Sequence, residues 1–189
     1  MARFWTSDLH LGHANIIRYC SRPFADVDAM NRALIDGWNE VVTAADEVWV
    51  LGDVALGPIA DTLALVAGLN GRKILVAGNH DRCWAGHGAK AEPWIARYEE
   101  AGFDTVLQGT VDATLGSRQV HCSHFPYRGD SHDPGRYLHH RPADDGAVLL
   151  HGHVHGRWRV NDRQVNVGVD AWGFRPITDE QVIEAIGVG

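Results

Sequence analysis

Seven side chains in this chain carry metal-ligating atoms and sit where an apolar run gives out: Asp8, His10, Asp53, Asn79, His124, His153 and His155. The clearest of these places is Val76-Ala77-Gly78-Asn79-His80-Asp81. There an apolar run, 74–77, stops at a glycine, and an amide, an imidazole and a carboxylate follow at once. Alone, the stretch reads as a strand followed by ordinary Gly-Asn turn chemistry, with Gly78 expected to supply the tight turn. Four other runs end the same way. Residues 4–6 lead into Ser7-Asp8-Leu9-His10, 47–51 into Gly52-Asp53, and 119–122 into Ser123-His124. Residues 147–150 lead into His151-Gly152-His153-Val154-His155. Extended backbone would put Asp8 and His10 on one side, because side chains repeat every two residues. Five ends of one kind outweigh the false-positive risk of any single short motif. In open α/β sheets, ligands bind at the C-terminal edge of the strands.

The residue types say what such an edge would bind. Carboxylate, imidazole and amide oxygen without thiolate suit Mn, Fe, Zn or Co better than a soft metal. The imidazoles are too many for a Mg or Ca site. Seven candidate ligands also exceed the four of a tetrahedral ion. They match two ions with one carboxylate between them, an arrangement that clamps a phosphoryl group for in-line displacement. The two ions (about +4), two Asp carboxylates (about −2) and a bridging hydroxide would leave roughly +1, enough to attract a phosphate.

The elements that must position these groups follow from spacing. Met30, Leu34, Trp38, Val41 and Val42 predict a helix over 29–42, capped by Asp26 or Asp28. A short helical piece is expected over 14–19, and Pro58 opens another helix, whose Leu63, Leu65, Val66 and Leu69 face the sheet. Strands at 4–6, 47–51 and 73–77 then alternate with helices, the pattern of crossover-linked parallel strands. Beyond a helix over 93–101, Gly116-Ser117 marks a hairpin and Asn161-Asp162 a second one. Thr178 and Gln181 form a capping box for a last helix. Between them, 125–146 has no periodicity and reads as an active-site loop. His13 and His151 flank the motifs and read most simply as solvated or core histidines, and Trp158 and Trp172 as core. Asp81 is expected either to tune His80 or to act as a turn cap.

Composition narrows the class. The 189 residues suit one domain, 1–189, with a substantial core. The net charge of −7 excludes a general nucleic-acid-coating surface. It therefore weakens a nuclease reading, and extended nucleic acid is not an expected partner. Cys20, Cys83 and Cys122 are widely spaced, which argues against a disulfide framework and for a reducing cytoplasm. No signal peptide or membrane-length apolar run is read.

The ordered set Asp8-Leu9-His10, Gly52-Asp53, Gly78-Asn79-His80-Asp81, His124 and Gly152-His153-Val154-His155 resembles the calcineurin-like metallophosphoesterase superfamily. The opening Ser7 to His13 and the ending Asn166 to Asp170 are similar to those of small bacterial and phage members. The resemblance implies an α/β fold: a two-sheet β-sandwich flanked by helices, four layers in all. It implies that Asp8, His10 and His155 hold a first ion and Asn79, His124 and His153 a second, with Asp53 bridging. His80 would face the substrate as the catalytic residue, and a metal-bridging hydroxide would attack the phosphate ester. Mn is the leading expectation for the ions, with Fe, Zn, Ni or Co as alternatives. Val54-Ala55-Leu56-Gly57 replaces the Asp-Arg-Gly segment of phosphoprotein phosphatases, so a phosphodiesterase on small phosphate esters, cyclic or other small nucleotides among them, is expected. Arg82, Arg128 and Tyr127 are candidate substrate contacts, with Arg136 and Arg141 as further cations. The competing expectation is a non-catalytic scaffold of the same fold.

Overall fold

A computed structural model describes residues 1–133 and 135–187. Two mixed sheets of five strands each are flanked by helices. In the first sheet β1 (Arg3–Thr6), β2 (Glu47–Val50), β3 (Arg72–Val76) and β4 (Thr105–Leu107) run parallel. α1 (Ala14–Tyr19) and α2 (Val27–Val41) connect β1 to β2, and α3 (Ile59–Leu63) lies between β2 and β3. α4 (Glu92–Glu100) leads to β4. The second sheet opens with the antiparallel hairpin β5 (Val111–Leu115) and β6 (Arg118–Ser123). β7 (Val148–His151) pairs parallel with β6, then β9 (Gln164–Asn166) parallel with β7, and the short β8 (Val160–Asn161) closes the edge. β10 (Ile177–Thr178) returns to pair antiparallel with β1, and α5 (Asp179–Gly187) follows.

Both faces of the first sheet are buried, and alternation divides its residues cleanly. Phe4, Val48, Val50 and Leu75 face one core with Met30, Leu34 and Trp38 of α2. Trp5, Leu51 and Val76 face the other core with Val120, Cys122, Leu150 and Val182. The first core lies under the helices and the second between the sheets. Parallel pairing of β1–β3 and of β6–β7 brings their C-terminal ends to a common edge.

Several sequence expectations are adjusted. Asp26, not Asp28, caps α2, its carboxylate accepting from the Ala29 N–H at 2.7 Å. The helix after Pro58 is α only to Leu63 and continues as 3₁₀ over Ala64–Gly68. β4 and β10 lack the length to signal themselves and exist by pairing with neighbours. Trp158 and Trp172 are half-buried, and of the two Trp172 packs against the core between the sheets. The 125–146 segment, described except at 134, is tied down by Arg128 N–H to Gln164 Oε1 at 3.0 Å and by His121.

His121 on β6 lies between two carboxylates, Nδ1 2.6 Å from Asp112 Oδ1 and Nε2 3.1 Å from Asp145 Oδ2. The Asp145 contact, with Asp112 adding to it, raises the imidazole above its usual 6.5. The contribution of this pair is complete below the unfolded value and disappears as pH rises through the folded one. The melting-temperature gap between wild type and His121→Ala should be largest below the usual imidazole value of about 6.5 and should shrink as pH rises above it. A gap that widens with pH in scanning calorimetry contradicts this assignment.

Candidate metal centre

All five strand ends that carry the sequence motif meet at one cleft edge. Asp8 and His10 follow β1, Asp53 follows β2, Asn79 and His80 follow β3, His124 follows β6, and His153 and His155 follow β7. The backbone that presents them is not extended. Asp8 (φ 57°), His10 (52°), Asp53 (58°), His153 (72°) and His155 (52°) are all left-handed. Such conformations cost non-glycine residues energy and persist where surrounding structure holds them. The expected alternation of Asp8 and His10 is thus replaced by two left-handed kinks. Gly78, by contrast, has no positive φ. Its missing Cβ is what matters, since one would meet Asp53 Oδ1 at 2.5 Å and His124 Nδ1 at 2.8 Å.

Acceptor atoms converge in this edge. The His124 Nδ1–H donates to the Leu51 carbonyl at 2.8 Å, so the neutral ring carries a lone pair on Nε2. That atom faces Asn79 Oδ1 at 3.0 Å and Asp53 Oδ2 at 3.5 Å. His10 Nε2 is buried without a hydrogen-bond partner, 3.6 Å from the same Asp53 Oδ2 and 4.0 Å from Asp8 Oδ1. Asp53 Oδ2 therefore lies between two imidazole nitrogens. Ligand atoms of Asp8, His10 and His155 lie within 4.8 Å of one another, as do those of Asp8, Asp53 and His124. His153 stacks edge-on to His124 with ring centroids 5.2 Å apart. Burial pushes the Asp53 carboxyl above its usual range, with His124 opposing and Asp8 adding. Burial alone would lower His155, yet Asp170, Cys20 and Asp8 carry it up to about 11. Lone pairs and carboxylates crowded this way suit divalent cations, and His10 Nε2 differs from the equally unpartnered Nε2 of His151 in facing two carboxylates.

Residues outside the expected ligand set hold these groups, and of them Arg22 and Asp130 lie in no motif. Arg22 is buried and donates to the Asp8 carbonyl at 2.7 Å and the Leu9 carbonyl at 2.9 Å. Its Nε and Nη2 also reach the two oxygens of Asp170, each at 2.8 Å. Asp170 in turn lies 3.4 Å from His155 Nδ1. Asp130, from the aperiodic segment, accepts from His153 Nε2 at 2.8 Å, which leaves Nδ1 for another partner. Carboxylates that hold the outer nitrogen of a ligating imidazole orient the ring and raise its basicity. The signal available in sequence was slight: Asp170 ends the Asn166 to Asp170 motif, and Asp130 is one of several carboxylates in an aperiodic stretch. Asp81 is a backbone clamp, and its charge also acts on His80, raising the imidazole against the lowering by burial and His124. Its oxygens accept from the N–H groups of Asp53 (2.8 Å), Val54 (2.9 Å) and Gly78 (2.8 Å), and from the Tyr98 hydroxyl at 3.3 Å.

The cleft over these groups holds about 580 Å³. His80, His13, Tyr19, Arg136 and Arg157 contribute to its walls. Burial, then His80, holds His13 down to about 4. Of the cations expected at the substrate, Arg136 is in this cleft. Arg82, Arg128 and Tyr127 are not among its lining residues. The Arg82 guanidinium lies 6.0 Å from the Trp94 ring centre, Arg128 pairs with Asp144 at 2.9 Å, and the Tyr127 hydroxyl donates to the Ala147 carbonyl. Arg141 reaches Asp130 at 3.6 Å. His151 is fully buried, Nδ1 donating to the Gly152 carbonyl, as expected of a core histidine.

Residues 1–170 match the calcineurin-like phosphoesterase superfamily domain. The chain belongs to this superfamily. Its members are in general metal-dependent hydrolases of phosphate esters. The gene 66 protein of Mycobacterium phage L5 is 33% identical over 193 residues, covering 95% of this chain and 92% of the phage protein. Its counterpart in Mycobacterium phage D29 is 37% identical over 185 residues, with 91% and 90% covered. A solved protein of unknown function from Aquifex aeolicus superposes with a TM-score of 0.71 over 97% of this chain and 98% of its own. At 22% identity that likeness speaks for the fold alone. Among the described residues no helix is long and apolar enough to cross a membrane.

The clamp predicts a specific weakness of the superfamily edge in this chain. Asp81→Ala would leave three buried N–H groups without their acceptor, a loss of about 3–5 kcal/mol in urea denaturation. A loss under about 1 kcal/mol would show that the loops hold themselves.

Proposed function

We propose that this chain is a dinuclear-metal phosphodiesterase for small phosphate esters, nucleotides among them, with Mn as the preferred ion. The observation that carries the reading is Asp53 Oδ2, set between His10 Nε2 at 3.6 Å and His124 Nε2 at 3.5 Å. One carboxylate oxygen facing two ring nitrogens is what a carboxylate shared by two ions requires. In this reading Asp8, His10 and His155 hold one ion, and Asn79, His124 and His153 the other. When bound, the ions would lower the pKa of water and neutralise charge on the phosphoryl oxygens.

The chain's own residues supply the rest. The His80 N–H donates to Asp53 Oδ1 at 2.8 Å, which fixes the second oxygen of the shared carboxylate and the start of the His80 loop together. The His80 side chain, on the cleft wall, stabilises charge on a phosphoryl oxygen or delivers a proton to the leaving alkoxide. Arg136 and Arg157 offer fixed positive charge to the remainder of an anionic substrate. The cleft volume lies in the small-molecule range, which favours a small ester over a protein or duplex. Val54 and Ala55, buried behind Asp53, occupy the place of the phosphoprotein-phosphatase segment and support the same preference.

Three variants test the reading, using metal analysis and hydrolysis of bis(p-nitrophenyl) phosphate. His80→Ala should lower kcat by about 10²–10⁴ with metal content nearly intact. Asp53→Asn should lose both metal and activity. Asp130→Asn should weaken metal binding by about 10–100-fold. A wild-type protein that binds two ions yet hydrolyses no mono-, di- or cyclic phosphate would be the scaffold instead.

A further inference from the structure

His13 stands apart from the residues that hold the proposed ions, and its place is rigid. Its N–H donates to the His10 carbonyl at 3.0 Å, and the Gly12 N–H donates to Asn31 Oδ1 at 2.9 Å. Gly12 has φ +77°, and a Cβ there would meet the Leu56 carbonyl oxygen at 2.7 Å. The His13 ring lines the cleft, with its centroid 6.4 Å from that of His80. His13 Nδ1 is also 3.3 Å from His10 Nδ1.

Two ring nitrogens at that distance cannot both be donors or both acceptors: one carries the proton and the other the lone pair. The state of His10 decides which. Its Nε2 is buried, lacks a hydrogen-bond partner and faces Asp53 and Asp8. An imidazole that ligates through Nε2 keeps its proton on Nδ1. His10 Nδ1–H then donates to His13 Nδ1, and the one proton of a neutral His13 must be on Nε2. We propose that His13 is a second substrate-facing imidazole, whose Nε2–H donates to a phosphoryl oxygen and whose tautomer is set through His10 when the metal binds. The proposal rests on the metal reading above. It gives the cleft two substrate-facing imidazoles that flank the His10 ring, whose centroid lies 5.2 Å from that of His13 and 5.3 Å from that of His80, with 6.4 Å between the two.

The decisive measurement is the ¹⁵N spectrum of the histidine rings in wild-type protein, metal-free and loaded with diamagnetic Zn. The expected result is a Zn-shifted His10 Nε2 together with His13 in the Nε2–H form. A shifted His10 with His13 in the Nδ1–H form overturns the proposal alone. An unshifted His10 Nε2 overturns the metal reading and the proposal with it. In a second arm, calorimetry follows inorganic phosphate binding to the Zn-loaded protein. His13→Phe should weaken phosphate by roughly tenfold or more with zinc content retained, and His13→Gln, which keeps an N–H, should recover most of it. Unchanged phosphate affinity in a zinc-loaded His13→Phe protein refutes the proposal. Should the Phe variant fail to fold, the wild-type spectrum decides.

Discussion

Crowding of electron pairs at one sheet edge is the constraint on which the rest of this structure depends. His124 Nε2 lies 3.0 Å from Asn79 Oδ1 and 3.5 Å from Asp53 Oδ2, and His10 Nε2 lies 3.6 Å from that same carboxylate oxygen. Such a cluster repels itself in a low-dielectric interior, where unpaired polar groups are most costly. It persists because its backbone is gripped from behind. Asp81 gathers the N–H groups of two strand-end loops, and Arg22 gathers two carbonyls of a third.

The same restraint explains the left-handed residues. Five of the seven expected ligands have positive φ, a conformation that an isolated turn would assign to glycine or asparagine. Here left-handed kinks turn the side chains of Asp8, His10, Asp53, His153 and His155 inward at the strand ends, and the clamps offset the local cost. Two glycines relieve crowding, and one of them, Gly52, is also left-handed at φ +90°. Gly52 and Gly78 stand where His124 and the Asp53 loop come too close for a Cβ, so loops from three strands can share one small volume.

The aperiodic segment 125–146 belongs to the site and not merely to its rim. Asp130 holds His153, Arg136 lines the cleft, and Asp145 anchors the segment back to β6 through His121. An irregular stretch fixed at several points by hydrogen bonds can present polar groups that a strand, with its alternating faces, cannot direct to one place.

Much of this was legible in the residues. Apolar runs and their polar ends located β1, β2, β3, β6 and β7, because buried strands need hydrophobic residues on both faces and ligands gather where those runs stop. The seven candidate ligands and His80 could be named for the same reason. β4 and β10 could not, since strands of three and two residues are made by their neighbours' unpaired backbone rather than by their own pattern. Nor could Arg22, Asp130 and Asp170, whose roles exist only where segments 148 and 23 residues apart in sequence come together. The sequence by itself determined the type of chemistry, through the identity and order of its donor groups. Tertiary structure alone decided which nitrogen of each histidine faces the centre, because hydrogen-bond partners brought from distant segments set that choice.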